Sequence, residues 1–332
     1  MESFALRLRG ALALLSVASL VLTGCTPQTD SLLVYSGRSE ALIGPIVEQF
    51  EQQTGIEVEV RYAGSAELAA QLLEEGANSP ADVFLAQDAG ALGAAAKAGL
   101  LETMPDELYS LVPANYSAAD KSWVGVSGRA RVFVYDPSQV SDLPNSIFDL
   151  EDASWQGRIG IAPTNASFQA FVTAMRILHG DARTLQWLEA MKSTAVIYEK
   201  NGAILEAVEA SQLAAGLINH YYWYARAKEV GTSQMSSRLS QFEGTDAGNL
   251  VNVAGVGILE SSDEAERFVE FLLGSEGQSY FAEETREYPL VGGISPADEL
   301  TPLADFPSPS IDLSDLDTLA ETLELIRQAG LI

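Results

Sequence analysis

Short apolar runs and stretches with helical spacing alternate along the chain, and their order predicts the fold. Leu32-Leu33-Val34-Tyr35 is an apolar run closed by Ser36-Gly37. Apolar residues at Leu42, Ile43, Ile46, Val47 and Phe50 predict a helix over Ala41 to Gln53, and Gly55 stops it. Ile56 to Tyr62 alternates as a half-buried strand, Glu67 to Glu75 reads as a helix, and Asp82 to Ala86 as a third strand. Ala89 to Gly99 is an Ala-rich helix with a glycine cap. Strands alternating with helices call for an α/β fold with parallel pairing, and such sheets bind ligands beyond the carboxyl ends of their strands. Ser36-Gly37-Arg38-Ser39, Gly64-Ser65 and Gln87-Asp88 occupy those ends.

The pattern then changes. Val124, Val126, Val132 and Val134 make a long extended run through Trp123 to Tyr135, broken at Ser127-Gly128, which suits a crossing between two lobes. A second strand-then-helix series follows: Ile159 to Ile161, Phe168 to His179, Arg183 to Lys192, Val196 to Tyr198, Ala203 to Ala210 and Leu213 to Ile218. Leu250 to Leu259 is a candidate return crossing. Asp263 to Leu273 and Glu276 to Glu284 read as helices, and Leu313 to Gly330 as a closing amphipathic helix. The crossings divide the chain into an N-terminal lobe at residues 32–129 plus 254–303 and a C-terminal lobe at 130–253 plus 304–332. No internal repeat of solenoid length is present.

Length agrees with two domains: 332 residues exceed one typical core. At 47% hydrophobic residues a full core can form. Charge narrows the partners. Nineteen Lys+Arg against 46 Asp+Glu give −27, which argues against nucleic acid or an anionic membrane surface. The first residues carry an address. Arg7 and Arg9 precede an apolar run from Ala11 to Leu22, too short to span a bilayer, ending in Leu22-Thr23-Gly24-Cys25. This resembles the lipobox of bacterial lipoproteins: residues 1–24 are expected to be a signal peptide, Cys25 the lipidation site and residues 25–31 a polar tether. Localisation is then periplasmic or at the cell surface, with the membrane touched by the lipid anchor only. Cys25 is the single cysteine, so no internal disulfide can form.

The candidate chemistry sits in Gly216-Leu217-Ile218-Asn219-His220-Tyr221-Tyr222-Trp223-Tyr224. Clustered aromatics with polar tips have either a task or a buried partner. Phenolate oxygens are hard anionic donors, suited to a hard multivalent cation such as Fe(III). Side chains of consecutive residues diverge by about 100° on a helix and about 180° on a strand, so Tyr221 and Tyr222 can converge only where one state gives way to the other. Asn219 fits as the N-cap of such a helix. The competing reading is a packing patch between helix and sheet. Enzyme motifs are lacking: His179 and His220 are the only histidines, no Walker loop occurs, Gly255-Val256-Gly257 lacks the later glycine of a dinucleotide loop, and Ser127 sits in no nucleophile elbow.

At this point the residues resemble the ferric-ion-binding proteins that feed bacterial iron ABC importers. The landmarks, in order, are Val34-Tyr35-Ser36-Gly37-Arg38-Ser39-Glu40, Phe50 to Ile56, Pro80 to Phe84, Ser127 to Val132, Trp155 to Gly160, Asn219-His220-Tyr221-Tyr222-Trp223 and Glu287-Tyr288-Pro289-Leu290. The resemblance implies a two-lobed, hinged periplasmic-binding fold of type II, each lobe a mixed sheet flanked by helices. It implies no enzyme but a substrate-binding component that captures Fe(III) as cargo, with carbonate or phosphate as synergistic anion. The partners it implies are a membrane permease and an ATPase, and the state it implies is a monomer.

The departures from that pattern matter. Gly37-Arg38-Ser39 stands where many members carry a histidine, Gln87 where they carry a glutamate, and Ser167 where others place a third tyrosine. The metal candidates are therefore Tyr221 and Tyr222, with Tyr62 and Gln87 as further ones from the facing lobe. Anion candidates are Arg38 and Arg129, Asn165, Ala166 and Ser167 at a helix start, and Asn201 and Asn219. Arg131 shares the strand face of Arg129. His220 is expected to face outward. An alternative keeps the fold and exchanges iron for an oxyanion or small organic anion.

Overall fold

The computed structural model describes residues 31–297 and 300–332. The expected signal peptide, Cys25 and most of the tether lie outside the described residues. The order of elements is β1 (Leu32–Ser36), α1 (Glu40–Thr54), β2 (Val58–Tyr62), α2 (Ser65–Glu75), β3 (Val83–Ala86), α3 (Ala89–Lys97), the single turn α4 (Asp106–Tyr109) and β4 (Val124–Tyr135). Next come β5 (Ile159–Ile161), α5 (Ala166–His179), α6 (Asp181–Thr194), β6 (Ala195–Ile197), α7 (Asn201–Glu209), β7 (Ala215–Asn219), α8 (His220–Val230) and β8 (Arg238–Ser240). β9 (Val251–Ile258), α9 (Asp263–Leu273), α10 (Ser275–Glu283), β10 (Tyr288–Pro289) and α11 (Leu319–Gln328) complete the chain.

The strands follow the order β2-β1-β3-β9-β4-β7-β5-β6, with β10 and β8 also paired to β4. β1 lies parallel to β2 and β3, and β5 parallel to β6 and β7, as strand–helix alternation requires. β9 and β4 run antiparallel to their neighbours, so both sheets are mixed. β4 belongs to both: Val124 to Ala130 pair with β9, and Arg131 to Tyr135 pair with β7. This is a type II two-lobed architecture in which one twelve-residue strand passes from one sheet to the other. The long extended run read in the sequence is that strand. Its register shifts between Gly125 and Ser127, just before the expected break.

Close packing explains the paired glycines of the second sheet. Gly160 and Gly216 are paired across β5 and β7. A Cβ at Gly216 would lie 2.2 Å from Cγ2 of Ile204, and one at Gly160 would lie 3.1 Å from the same atom, so α7 can press directly on the strands. That contact fixes Asn201 at the start of α7. Gly216→Ala is expected to cost about 1–3 kcal/mol by overpacking, read as a lower denaturant midpoint at unchanged m-value.

The closing helix expected over Leu313 to Gly330 is broken. Leu313–Asp317 forms a 3-10 turn capped by Asp312, whose carboxylate accepts from the Ser314 N–H, and the α-helix starts at Leu319. Leu313 and Leu316 bury against α3 through a groove at Gly90 and Gly93, where added Cβ atoms would stand 2.7 Å from the Leu316 carbonyl oxygen and 2.8 Å from the Asp317 Cβ. Docking of the turn on α3, and of Thr322 on Thr173 of α5 (Oγ1 to Oγ1 2.7 Å), sets two directions that one straight helix cannot follow. Among the described residues no helix is long and apolar enough to cross a membrane.

Candidate metal and anion site

The loops at the carboxyl ends of β1, β2 and β3 meet, as read from the sequence. The Gly37 N–H donates to the Leu85 carbonyl (2.8 Å), the Gln87 N–H donates to Ser65 Oγ (2.8 Å), and a Cβ on Gly37 would collide with Ser65 Oγ at 2.1 Å. Only glycine allows that approach. Arg38 is thereby carried inward. It is buried, its Nη2 donates to Glu287 Oε2 at 3.0 Å, and Ser127 Oγ donates to the same oxygen at 3.0 Å. Arg38, a candidate anion holder, thus forms an ion pair that is wholly buried. Burial opposes its charge, but Glu287 and the phenols of Tyr221 and Tyr222 outweigh this and hold its pKa above the usual value.

From the other sheet, β7 ends at Asn219 and α8 begins at His220. Asn219 occupies the N-cap with extended backbone (φ −85°, ψ 145°), yet its side chain caps nothing, and its buried Nδ2 has no hydrogen-bond partner among the described residues. The strand-to-helix change falls where two neighbouring phenols need it. The Tyr221 and Tyr222 rings stack at 4.4 Å between centroids, 27° apart. Tyr221 is buried and Tyr222 partly so. Burial pushes the Tyr222 phenol well above its ordinary pKa, the Tyr221 hydroxyl adds to the rise, and the Arg129 and Arg38 guanidiniums pull part of it back. A cation placed between the two oxygens would reverse this, because bound metal favours the phenolate.

Arg129 stands between the two sets, on β4 directly before the strand changes sheets. Its Nη2 donates to the Val253 carbonyl (3.3 Å), whereas Nε and Nη1 have no partner among the described residues. Burial lowers its pKa, Arg38 lowers it further, and Tyr221, Glu287 and Asp88 counteract. Glu287 has its pKa held down by Arg38 and Arg129 against the effect of burial.

The remaining candidates divide. Asn165 caps α5: its Oδ1 accepts from the Ser167 N–H (3.0 Å) and from the Ser167 hydroxyl, and Asn201 Nδ2 in turn donates to Ser167 Oγ at 3.3 Å. Asn165, Ala166, Ser167 and Asn201 therefore form one cluster at the start of α5. Tyr62 is 38% exposed at the end of β2, with Glu40 as its charged neighbour, and no ring contact or hydrogen bond joins it to Tyr221 or Tyr222. Gln87 is half-buried, and its side-chain amide is not hydrogen-bonded.

His220 does not face outward. It is 2% exposed, its Nδ1 accepts from the Ala130 N–H (3.1 Å), and its ring stacks on Tyr288 at 4.9 Å. The first turn of α8 points the residue before the phenols back under β4, which a count of neighbours in sequence cannot show. Sequence reasoning gave no site role to Glu287 or Ser127, and placed Asp88 only at a strand end. Glu287 had a signal, since it opens the landmark Glu287-Tyr288-Pro289-Leu290. No group of three or more His, Cys, Asp or Glu placed to hold a metal occurs among the described residues.

Residues 32–284 match the family model of bacterial extracellular solute-binding proteins. The chain is 37% identical over 329 residues to the major ferric iron-binding protein of Neisseria meningitidis, covering 96% of this chain and 98% of that one. The chain belongs to the bacterial ferric-ion-binding proteins. A second relative within this family, the Fe(3+)-binding periplasmic protein of Serratia marcescens, is 33% identical over 331 residues, covering 97% of this chain and 98% of that one. Among solved structures, iron-bound HitA from Pseudomonas aeruginosa superposes with a TM-score of 0.86 at 38% identity, covering 90% of this chain and 99% of that one. A ferric-ion-binding protein is a solute-binding protein and not an enzyme. Proteins of this family serve ABC transporters, with a permease and an ATPase as partners.

Proposed function

We propose that the protein captures Fe(III) from the extracytoplasmic space for an ABC importer, holding it through the Tyr221 and Tyr222 oxygens with a synergistic anion. The observation that carries this is the stacked phenol pair at the start of α8, beside Arg38 and Arg129. Two phenolates leave one positive charge on the ion, and carbonate or phosphate oxygens fill further coordination positions. The α5 amino terminus at Asn165, Ala166 and Ser167 is the expected seat of the anion; the Asn165 and Ser167 N–H groups are already bonded within the turn, to the Ala162 carbonyl and to Asn165 Oδ1, so the Ala166 N–H, Asn201, Asn219 and the two arginines are the donors left for it. Gln87 and Tyr62 are the remaining candidate ligands from the first sheet. Lobes divided at residues 129/130 and 253/254 would close on the ion, and a lipid at Cys25 would keep the protein at the membrane as a monomer.

The test is optical. Loading with Fe(III) should produce a phenolate-to-iron charge-transfer band, and Tyr221→Phe combined with Tyr222→Phe should abolish it. A band surviving the double change refutes the site. A second reading, an oxyanion or small organic anion without iron, is favoured by the unpartnered donors on Arg129 and Asn219. Calorimetric anion binding that needs no iron and survives both tyrosine changes would select it.

A further inference from the structure

β4 carries a second arginine on the face of Arg129. Arg131 lies two residues further along, at the first position where β4 pairs with β7, opposite Asn219. It is 2% exposed. Its guanidinium carbon stands 5.5 Å from the centre of the Phe168 ring and 4.9 Å from that of Phe171, both on the first two turns of α5. Arg131 is therefore buried beside the helix terminus that Asn165, Ala166 and Ser167 open. Among the described residues none of its Nε, Nη1 and Nη2 atoms has a hydrogen-bond partner.

This combination is unusual. A buried guanidinium is normally paired with a carboxylate or carbonyl, because an unpaired charge in an apolar interior is strongly unfavourable. Two phenyl faces compensate only part of that. Burial and the nearby Arg129 charge lower the Arg131 pKa to about 9, which leaves it charged at neutral pH. Around the cleft lie three buried guanidiniums, Arg38, Arg129 and Arg131, and two buried carboxylates: Glu287 pairs with Arg38, Asp88 acts on Arg129, and among the described residues the charge acting on Arg131 is that of Arg129. Fe(III) on two phenolates would add a further positive charge. The loaded cleft thus holds an excess of two positive charges that its own carboxylates do not neutralise.

We propose that Arg131 sets the charge of the anion: the cleft takes the ferric ion together with an oxyanion bearing at least two negative charges and discriminates against a monoanion of the same shape. The inference rests on the ferric reading above and deepens it, since it names the class of co-ligand. Arg131 acts as a positioning and charge-setting residue from behind Arg129 and the α5 terminus. Its removal should also relieve the metal-free protein, because an apolar side chain of similar volume is better tolerated than an uncompensated buried charge.

The experiment loads the metal-free full chain with Fe(III) at fixed ionic strength and follows the charge-transfer band. It compares carbonate with nitrate, both planar, and sulfate with perchlorate, both tetrahedral. The decisive quantity is the dianion-to-monoanion preference of the wild type divided by that of Arg131→Met, because this ratio cancels each anion's own affinity for iron. The expected result is a ratio of tenfold or more, with a higher melting temperature for metal-free Arg131→Met. Arg131→Gln, which removes the charge and keeps a polar side chain, should lose the preference as Arg131→Met does and serves as the variant if Arg131→Met does not fold. A ratio near one in the variant that folds overturns the inference while the ferric reading stands. Absence of the band with every anion overturns the ferric reading, and this inference with it.

Discussion

Glu287→Ala is expected to lower stability by about 3–5 kcal/mol, the usual cost of leaving a buried charge without its partner. The carboxylate is fully buried at the meeting of three segments. Its Oε2 accepts from Arg38 Nη2 (3.0 Å) after β1, from Ser127 Oγ (3.0 Å) on β4 and from Thr285 Oγ1 (3.1 Å) after α10. Removing it leaves Arg38 with no carboxylate and removes the nearest charge compensation for Arg129. Glu287→Gln keeps an acceptor for Arg38 and should fall between wild type and alanine. The cycle with Arg38 separates pair from charge. Arg38→Met combined with Glu287→Leu replaces two charges with apolar groups and should be more stable than either single change. Denaturant unfolding of the metal-free protein reads all five variants. A loss below about 1 kcal/mol in Glu287→Ala would mean that water reaches the pair, since solvent-screened ion pairs contribute only that much.

The fold was legible because its pattern is local. Alternation in Ile56 to Tyr62 and helical spacing in Ala41 to Gln53 are set by neighbours within one element. Each is found within two residues of its expected bounds. What was not legible depends on partners distant in sequence. β8 and β10 are three- and two-residue additions to β4 that exist only because that strand leaves edges to cover. The break before α11 comes from the α3 groove at Gly90 and Gly93, more than two hundred residues earlier. Each contact is imposed by the rest of the chain, so no window around Tyr288 or Thr318 contains it.

The site follows the same division. Tyr221 and Tyr222 announce themselves by adjacency at a strand-to-helix change, because convergence of consecutive side chains is possible almost nowhere else. Arg38 was visible as a cation at a strand end, and Arg129 as one inside the long extended run. Their shared carboxylate Glu287 was not, since it arrives from a loop that a contact separation of 249 residues divides from Arg38. Gln87 had the position expected of a ligand, at the carboxyl end of β3, but its local hydrogen bond is a backbone one to Ser65. Position along a strand therefore supplied the candidates for the cleft. It did not decide which of them carry its charge.

His220 makes stability fall in mild acid. Burial lowers its pKa to about 4, with Arg129 adding to the shift, while Glu287 and the carbonyls of Ala130 and Arg286 oppose it. In the unfolded chain a histidine titrates near 6.5, so between those values the unfolded state binds the proton and the folded state does not. Stability contributed by the neutral ring is complete above about pH 6.5 and is lost progressively down to about pH 4, amounting to about 3 kcal/mol. The physical reason is burial: a proton on Nδ1 can be donated to the Ala130 carbonyl 3.3 Å away, but that hydrogen bond offsets only part of the cost of charging a ring that is 2% exposed and close to Arg129. Ala130 is the last residue of β4 paired with β9, which puts the acid-sensitive contact at the point where the strand changes sheets. His220→Asn retains an acceptor for Ala130 without a titrating ring. The variant's unfolding free energy, measured without metal at pH 7.5 and pH 4, should fall by about 3 kcal/mol less than that of wild type. Equal falls in the two proteins would assign the acid sensitivity to carboxylates elsewhere and leave His220 as packing alone.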